Sequence, residues 1–290
     1  MADIELRFHH DMLTLSAPLD AALTRQGVDV ARDRQYLNLM EPDVIRDALR
    51  MELVAGAQCV VTSTEDITRA RLAHVNMDAD AARLAQAALD IAAELKPQHV
   101  LAEIGPSGLP LDPSSKASLN ESRGQYADAA RAFGDGAFDA FFLNGFSRIE
   151  DLKCALMGVA QVSGKPVFVS VVLGRTEWPV LLETMVDLGA AVVGIETDEP
   201  IDRAVAFVEE AKRLTDLPIL VQLRVTQPSQ AAAKGLIPLH DIAEYTPDTL
   251  GHAAVQLYGA GAQFLRATGE ATSACTAALA ATTSGLTVRR

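Results

Sequence analysis

Residues 164–195 have the sequence GKPVFVSVVLGRTEWPVLLETMVDLGAAVVGI and contain the repeating unit of the fold. The β-branched run at 167–172 predicts a buried strand, residues 178–188 predict a helix, and residues 191–195 predict a second strand. Gly189 marks the end of the helix, as glycine commonly does. A strand, a helix and a strand in this order indicate a βαβ unit with two parallel strands.

The same alternation continues in both directions along the chain. Strands are predicted at residues 12–15, 59–63, 100–104, 140–143, 167–172, 191–195, 219–223 and 263–267. Helices are predicted at residues 42–53, 78–95, 126–133, 149–162, 178–188, 202–214, 249–258 and 273–281. Eight such units favour a closed (β/α)8 TIM barrel, although a doubly wound open sheet has the same local pattern.

Two stretches are predicted to be irregular, residues 107–123 and residues 226–245. Both follow the C-terminal end of a predicted strand, where TIM barrels carry their binding loops. Residues 227–230 are either a mobile lid or an ordinary surface loop. No linker or change in composition divides the chain, so residues 1–290 are predicted to form a single barrel domain.

Charge and hydropathy exclude several classes of partner. Lys and Arg total 25 against 38 Asp and Glu, and the formal net charge of −13 would repel nucleic acids and anionic membrane surfaces. No apolar run approaches the length of about 18 residues that predicts a membrane helix, and residues 1–5 lack the features of a signal peptide. A cytoplasmic protein is expected.

Common catalytic and metal-binding motifs are missing from the sequence. Cys59, Cys154 and Cys275 are far apart and predict neither a disulfide nor a metal-binding pair. The histidines have no partner at ligand spacing, and each is expected on the surface or in packing, with His99 in a helix or loop. The sequence has no Gly-x-Ser-x-Gly elbow, P-loop or Gly-x-Gly-x-x-Gly turn.

A series of short fragments, in a fixed order along the chain, resembles the homocysteine S-methyltransferase family, which includes betaine-homocysteine methyltransferase and the barrel of cobalamin-dependent methionine synthase. The fragments are Pro42-Asp43-Val44-Ile45, Ala55-Gly56-Ala57, Val61-Thr62-Ser63-Thr64, Ile104-Gly105-Pro106-Ser107, residues 164–170, Leu188-Gly189-Ala190, Val193-Gly194-Ile195, Val221-Gln222 and Gly261-Ala262. The resemblance implies a (β/α)8 barrel and methyl transfer to a thiol, with zinc held by three cysteines that convert the thiol to a nucleophilic thiolate.

The positions that carry this chemistry in the family hold other residues here. The three zinc cysteines correspond to Thr197, Thr268 and Gly269. The Asp-Gly pair after the first strand, which helps to hold the amino group of homocysteine, corresponds to Ser16-Ala17, and the acidic residue at the end of the fourth strand corresponds to Asn144. Neither zinc nor zinc-bound homocysteine is therefore expected.

Two arginines stand where the family has small or neutral residues. Strand alternation places Arg266 in phase with Thr268, and Arg224 in phase with Gln222, so both are expected to point into the barrel. A buried guanidinium needs an anionic partner. One alternative is that the arginines pair with internal carboxylates, for which the candidates are Glu65, Glu103, Glu196 and Asp198. The other is that they clamp a carboxylate or phosphate of a small ligand, assisted by Thr268, Gly269, Thr272 and Ser273.

The predicted binding site lies at the C-terminal ends of the strands. Its residues are Ser16, Thr62, Glu103, Asn144, Glu196, Thr197, Gln222, Arg224, Arg266 and Thr268. Glu103 and Glu196 are more readily interpreted as salt-bridge partners than as an acid and base pair, and the sequence identifies no catalytic residue.

Two functions are compatible with these observations. One is a methyltransferase-like enzyme that transfers a methyl group to or from a corrinoid, a folate or a small anionic substrate, with a corrinoid protein or another subunit as partner. The other is a non-catalytic paralogue that binds a small ligand or serves as a partner subunit.

Overall fold

The computed structural model describes residues 4–172, 178–226 and 245–288. The strands are β1 Leu13–Thr14, β2 Cys59–Val61, β3 His99–Ile104, β4 Ala140–Phe146, β5 Val167–Val172, β6 Val192–Thr197, β7 Ile219–Val225 and β8 Phe264–Gly269. The helices in the described residues are α1 Asp20–Arg25, α2 Val30–Met40, α3 Pro42–Val54, α4 Arg69–Ala73, α5 Ala81–Leu95, α6 Lys116–Ala132, α7 Ile149–Ala160, α8 Trp178–Asp187, α9 Ile201–Leu214, α10 Pro247–Ala260 and α11 Ser273–Thr283.

The eight strands form a parallel barrel, as the sequence predicts. Each strand from β2 to β7 pairs with the next one in the chain, and β1 pairs with β8. The remaining gap between β1 and β2 is closed by a parallel bridge of Leu15 with Cys59 and by a hydrogen bond of 2.9 Å from the Ser16 N–H to the Cys59 carbonyl. This closure excludes the doubly wound open sheet and confirms the (β/α)8 barrel.

The N-terminal half of the barrel interior is apolar. Side chains from alternating strand positions fill it, with Phe142, Phe168, Leu220 and Phe264 among the largest. Phe8, from the segment before β1, packs on Phe168 and Phe264 at ring-centroid distances of 6.0 and 6.1 Å. Because this end is packed with aromatic rings, the open space within the barrel lies towards the C-terminal ends of the strands.

The expectation that residues 107–123 are irregular is wrong for their second half. Helix α6 begins at Lys116 and not near Tyr126, because the Ser115 hydroxyl caps it by accepting a hydrogen bond from the Ser118 N–H. The first turns of α6 are polar and partly exposed, so the apolar periodicity that reveals a helix begins only where the helix meets the core. The expected lid at residues 227–230 lies outside the described residues.

Three helices and one histidine also differ from the prediction. Helices α1, α2 and α4 were not predicted, since they are short or predominantly polar. His99 lies at the start of β3 and is fully buried, with its Nδ1 3.6 Å from an Asp139 carboxylate oxygen, and is not in a helix or loop. Within the described ranges, no helix has the length and apolar character needed to cross a membrane.

Candidate functional site at the barrel mouth

A chain of buried polar side chains crosses the barrel above its apolar half. Asn144 donates to Glu103 Oε1 at 2.7 Å, and Gln222 Nε2 donates to Asn144 Oδ1 and to the Ser170 hydroxyl, each at 2.7 Å. Strand alternation points all four side chains into the barrel, from β3, β4, β5 and β7, and their hydrogen bonds join them into one chain. We call this chain, together with Arg266, the central network.

Arg266 completes the central network and is only 1% exposed. Its Nε donates to the Ser16 carbonyl at 2.8 Å, and its Nη1 lies 3.1 Å from Gln222 Oε1 and 3.4 Å from Glu103 Oε1. The guanidinium also lies over the Phe142 ring, 5.5 Å from the centroid. In this structure Arg266 has the internal partners of the first alternative and is almost completely buried.

Glu103 is the anion that balances Arg266, and its side chain is 8% exposed. Burial raises the pKa of Glu103 above the ordinary value for a glutamate, while Arg266 and the Asn144 hydrogen bond act in the opposite direction. The charge of Glu103 therefore depends on Arg266.

A second ion pair lies closer to solvent, at the ends of β6, β7 and β8. Arg224 Nη2 is 2.8 Å from Glu196 Oε1, and the Thr268 hydroxyl donates to the same oxygen at 2.8 Å. The side chain of Arg224 is 43% exposed, whereas that of Glu196 is 8% exposed. Arg224 can therefore contact a ligand without leaving Glu196, in contrast to Arg266.

A third cluster surrounds Arg34, which was not among the predicted site residues because helix α2 was not predicted. Arg34 Nη1 lies 2.6 Å from Glu65 and 3.3 Å from Asp20, and its Nη2 lies 3.3 Å from Asp66. No local sequence signal links α2 to the loop after β2, so only the folded chain could identify this cluster.

These groups surround an open cleft of about 670 Å³, which we call the mouth cleft. The charged side chains that line it, among the described residues, are Asp20, Glu65, Glu196, Asp198, Glu199, Arg34 and Arg224. Carboxylates outnumber guanidinium groups by five to two, so the potential in the cleft is negative. Below it, a smaller inner cavity of about 40 Å³ is lined by residues that include Thr62, Glu65, Glu103, Asn144 and Arg266.

The structure divides the predicted site residues into two levels. Ser16, Thr62, Glu103, Asn144, Gln222 and Arg266 lie in or beside the central network. Glu196, Thr197, Arg224 and Thr268 line the mouth cleft. Gly269 also lines it, whereas Thr272 and Ser273 do not.

The residues that correspond to the family's zinc cysteines do not fit a zinc–thiolate site. The Thr197 hydroxyl accepts a hydrogen bond from the Glu199 N–H at 3.1 Å, and the Thr268 hydroxyl donates to Glu196. Gly269 offers no side-chain ligand. Its φ is +66°, and a Cβ added at this position would lie only 2.5 Å from the Val225 carbonyl oxygen. Within the described parts of the chain, no group of three or more His, Cys, Asp or Glu side chains is arranged to hold a metal ion.

Comparisons with known proteins agree with this architecture. A family model described as homocysteine S-methyltransferase matches residues 14–220. No curated protein matches the sequence significantly.

Solved structures share the fold at low sequence identity. The metallated form of the homocysteine methyltransferase MmuM from Escherichia coli is 17% identical with a TM-score of 0.75, covering 93% of this chain and 96% of that one. Its oxidized form gives a TM-score of 0.76 at the same identity and coverage. The carboxyl transferase domain of Rhizobium etli pyruvate carboxylase with pyruvate and biocytin is 13% identical with a TM-score of 0.54, covering 89% of this chain and 40% of that one.

Proposed function

Because the chain belongs to the homocysteine S-methyltransferase family, we propose that it is a methyltransferase-like barrel that has lost the zinc–homocysteine site and binds a small onium or zwitterionic compound in the mouth cleft. The observation that carries this proposal is the charge of the cleft, which has five carboxylates against two guanidinium groups. A cation gains from this potential, whereas a simple anion would be repelled.

This proposal replaces the small anion expected from sequence. Arg266 is occupied by Glu103, Gln222 and the Ser16 carbonyl, so it is a poor anion clamp. Arg224 is the better candidate to hold a ligand carboxylate, because it is partly exposed at the rim of the cleft. A zwitterion would place its carboxylate near Arg224 and its cationic group among the acidic side chains.

The charge of the cleft also suits the binding of a cationic methyl donor. An onium methyl group is electrophilic because the sulfur or nitrogen leaves as a neutral atom, and the acidic side chains would hold such a donor by its positive charge. A corrinoid or folate donor, with a corrinoid protein or another subunit as partner, is the further possibility that the family resemblance suggests.

The first test is ligand binding by thermal shift and calorimetry. Trimethylsulfonium and quaternary ammonium carboxylates should raise the melting temperature, since a ligand at 100 times its Kd stabilises the folded protein by about 2.7 kcal/mol. Acetate, phosphate, folates and corrinoids serve as the comparison set. Stabilisation by anions and not by onium compounds would refute the proposed ligand class.

A matched pair of variants locates the binding. Glu196→Gln should weaken trimethylsulfonium binding about tenfold, equivalent to about 1.4 kcal/mol, because a buried carboxylate at the cleft becomes neutral. Glu210→Gln removes one carboxylate from an exposed ion pair with Arg213 on α9, outside the cleft, and should leave binding unchanged. Equal affinity of both variants would place the ligand elsewhere.

Zinc content tests the loss of the metal site. The purified protein should contain much less than one zinc per chain by plasma mass spectrometry, because hydroxyl groups that are already hydrogen-bonded replace the family's thiolates. One full equivalent at the barrel mouth would contradict this proposal.

A non-catalytic paralogue is the second candidate, and one observation favours it. The central network occupies the barrel axis and leaves an inner cavity of only about 40 Å³ beneath the mouth cleft. Ligand binding without methyl transfer to any thiol, amine or corrinoid acceptor would support this alternative over the enzyme.

A further inference from the structure

Helix α2 is held against the barrel partly by polar side chains. Only two of its residues are buried, and one of them is Asn38. The Asn38 amide donates to the Ser63 carbonyl at 2.8 Å, and the Gln35 amide donates to Asp66 Oδ2 at 3.0 Å. The ion pairs of Arg34 with the same loop after β2 add to these contacts. The position of α2 therefore depends on hydrogen bonds as well as on apolar packing.

A small cavity lies between α2 and this loop. Its volume is about 20 Å³, and we call it the α2 cavity. It is lined by Arg34, Gln35 and Asn38 of α2, by residues 63–67 of the loop, and by one leucine each of α4 and α5. A cavity of this volume can hold one water molecule or one small ion, but not a larger ligand.

Three side-chain atoms of residues that line the α2 cavity have no hydrogen-bond partner among the described residues. They are Arg34 Nε, Gln35 Oε1 and Asn38 Oδ1, and all three atoms are buried. Asn38 as a whole is 3% exposed. Because an unpaired buried polar group costs free energy, such groups in native proteins are nearly always hydrogen-bonded to protein or to ordered water. The α2 cavity therefore offers one donor and two acceptors to a small bound molecule.

The orientation of the two amides is fixed by their other hydrogen bonds. A carbonyl and an ionised carboxylate can only accept, so the amide nitrogen of Asn38 has to face Ser63, and that of Gln35 has to face Asp66. Turning either amide over would bring two acceptor oxygens together. The amide oxygens of Asn38 and Gln35 therefore both need a hydrogen-bond donor from elsewhere.

Water is the small molecule whose donors and acceptors match these three atoms. Its oxygen can accept from Arg34 Nε while its two hydrogens bond the amide oxygens of Gln35 and Asn38. An ammonium ion has no acceptor for the Nε–H, and a metal ion would be repelled by the guanidinium. A chloride ion could accept from Nε, but it has no hydrogen to give to the two amide oxygens.

We infer that the α2 cavity is a binding site for one long-lived water molecule, which bridges Arg34 Nε, Gln35 Oε1 and Asn38 Oδ1. This water supplies an acceptor for the Nε–H of Arg34, which no carboxylate among the described residues accepts. It also continues the polar attachment of α2 to the loop after β2. The site is independent of the ligand proposed for the mouth cleft.

Magnetisation transfer between water and the Arg34 Nε–H tests this site. In the ¹⁵N-labelled protein, this proton should show cross-peaks to the water signal that have opposite signs in NOESY and ROESY spectra, because a buried water molecule stays bound for longer than surface water. Proton exchange with the solvent would instead give cross-peaks of the same sign in both spectra. A crystal structure at high resolution provides a second measurement, with electron density for one water expected within hydrogen-bond distance of all three atoms.

Removal of the two acceptors locates the water. The double variant Gln35→Met with Asn38→Leu should lose the bound-water cross-peaks, and Gln35→Met alone, which leaves the more deeply buried Asn38 in place, should weaken them. Thr68→Val is the matched control, since Thr68 Oγ1 is also buried and unpartnered among the described residues but does not line the α2 cavity. This control should leave the cross-peaks unchanged.

The outcomes decide for or against the water site. Absence of these cross-peaks from the wild type, or cross-peaks that persist unchanged in either folded variant of Gln35, would overturn it. Electron density for a metal ion in the α2 cavity, or for no ordered molecule there, would overturn it as well. If the double variant does not fold, Gln35→Met and the two wild-type measurements still decide.

Discussion

Replacing Arg266 by methionine should lower the free energy of unfolding by about 3–5 kcal/mol, measured by urea or guanidinium denaturation. The substitution removes the charge that balances Glu103 and two further hydrogen bonds, to Gln222 and to the Ser16 carbonyl. Because Glu103 is nearly inaccessible to water, its carboxylate would remain buried without a counter-charge.

The pH dependence of this loss follows from Glu103. Its pKa is already raised in the folded protein, and removal of Arg266 raises it further, so protonation relieves the uncompensated charge. The destabilisation should be largest above the new folded pKa and should shrink as the pH falls towards the ordinary glutamate pKa of about 4.3.

Two control variants make the test specific. The double variant Arg266→Met with Glu103→Gln should recover a large part of the lost stability, since no charge is left buried. Arg224→Met, which breaks the more exposed pair with Glu196, should have a smaller effect than Arg266→Met. Equal losses for Arg266→Met and Arg224→Met would show that the central network does not have the importance assigned to it.

Replacing Gly269 by alanine should destabilise the barrel through two separable effects. The backbone φ of +66° costs a residue with a Cβ about 1–2 kcal/mol. Overlap of that Cβ with the Val225 carbonyl oxygen, at 2.5 Å, adds about 1–3 kcal/mol unless β7 and β8 move apart. Denaturation midpoints measure the total.

Gly285 provides the matched control. It also has a positive φ, of +76°, but a Cβ there would meet no atom within 4 Å. Gly285→Ala should therefore show only the backbone effect, and the difference between the two variants isolates the overlap at Gly269. Similar losses for both variants would mean that the contact with Val225 relaxes freely.

The same contact predicts that the family's metal site cannot be restored by substitution alone. A chain with Thr197→Cys, Thr268→Cys and Gly269→Cys should not bind zinc stoichiometrically in competition with a chromophoric chelator, because the third thiol can be introduced only by displacing β8 from β7. Stoichiometric, tight binding with the barrel intact would contradict this expectation.

The hydrophobic periodicity of the sequence determined the fold, and it determined which side chains of the strands point into the barrel. β-branched runs alternating with helices gave eight units, and the parallel barrel confirms them. Alternation within a strand is a local property, so the inward positions of Arg266, Glu103 and Gln222 could be predicted without the structure.

Helices with weak apolar periodicity could not be predicted in this way. Helix α2 and the first turns of α6 are polar on most faces, since they cover the barrel only in part, and the period that identifies a buried helix is weak in them. Because α2 was not predicted, Arg34, the partner of Glu65, was not predicted as a site residue either.

The choice of partner for each charged side chain was decided only by the tertiary structure. From the sequence, Arg266 could pair either with an internal carboxylate or with a ligand anion. Closure of the barrel places a Glu103 carboxylate oxygen 3.4 Å from Arg266 Nη1. Strand phase fixes which way a side chain points, because it depends on neighbouring residues alone. Which charges meet depends on the register of strands that are far apart in the chain, and that register exists only once the barrel has closed.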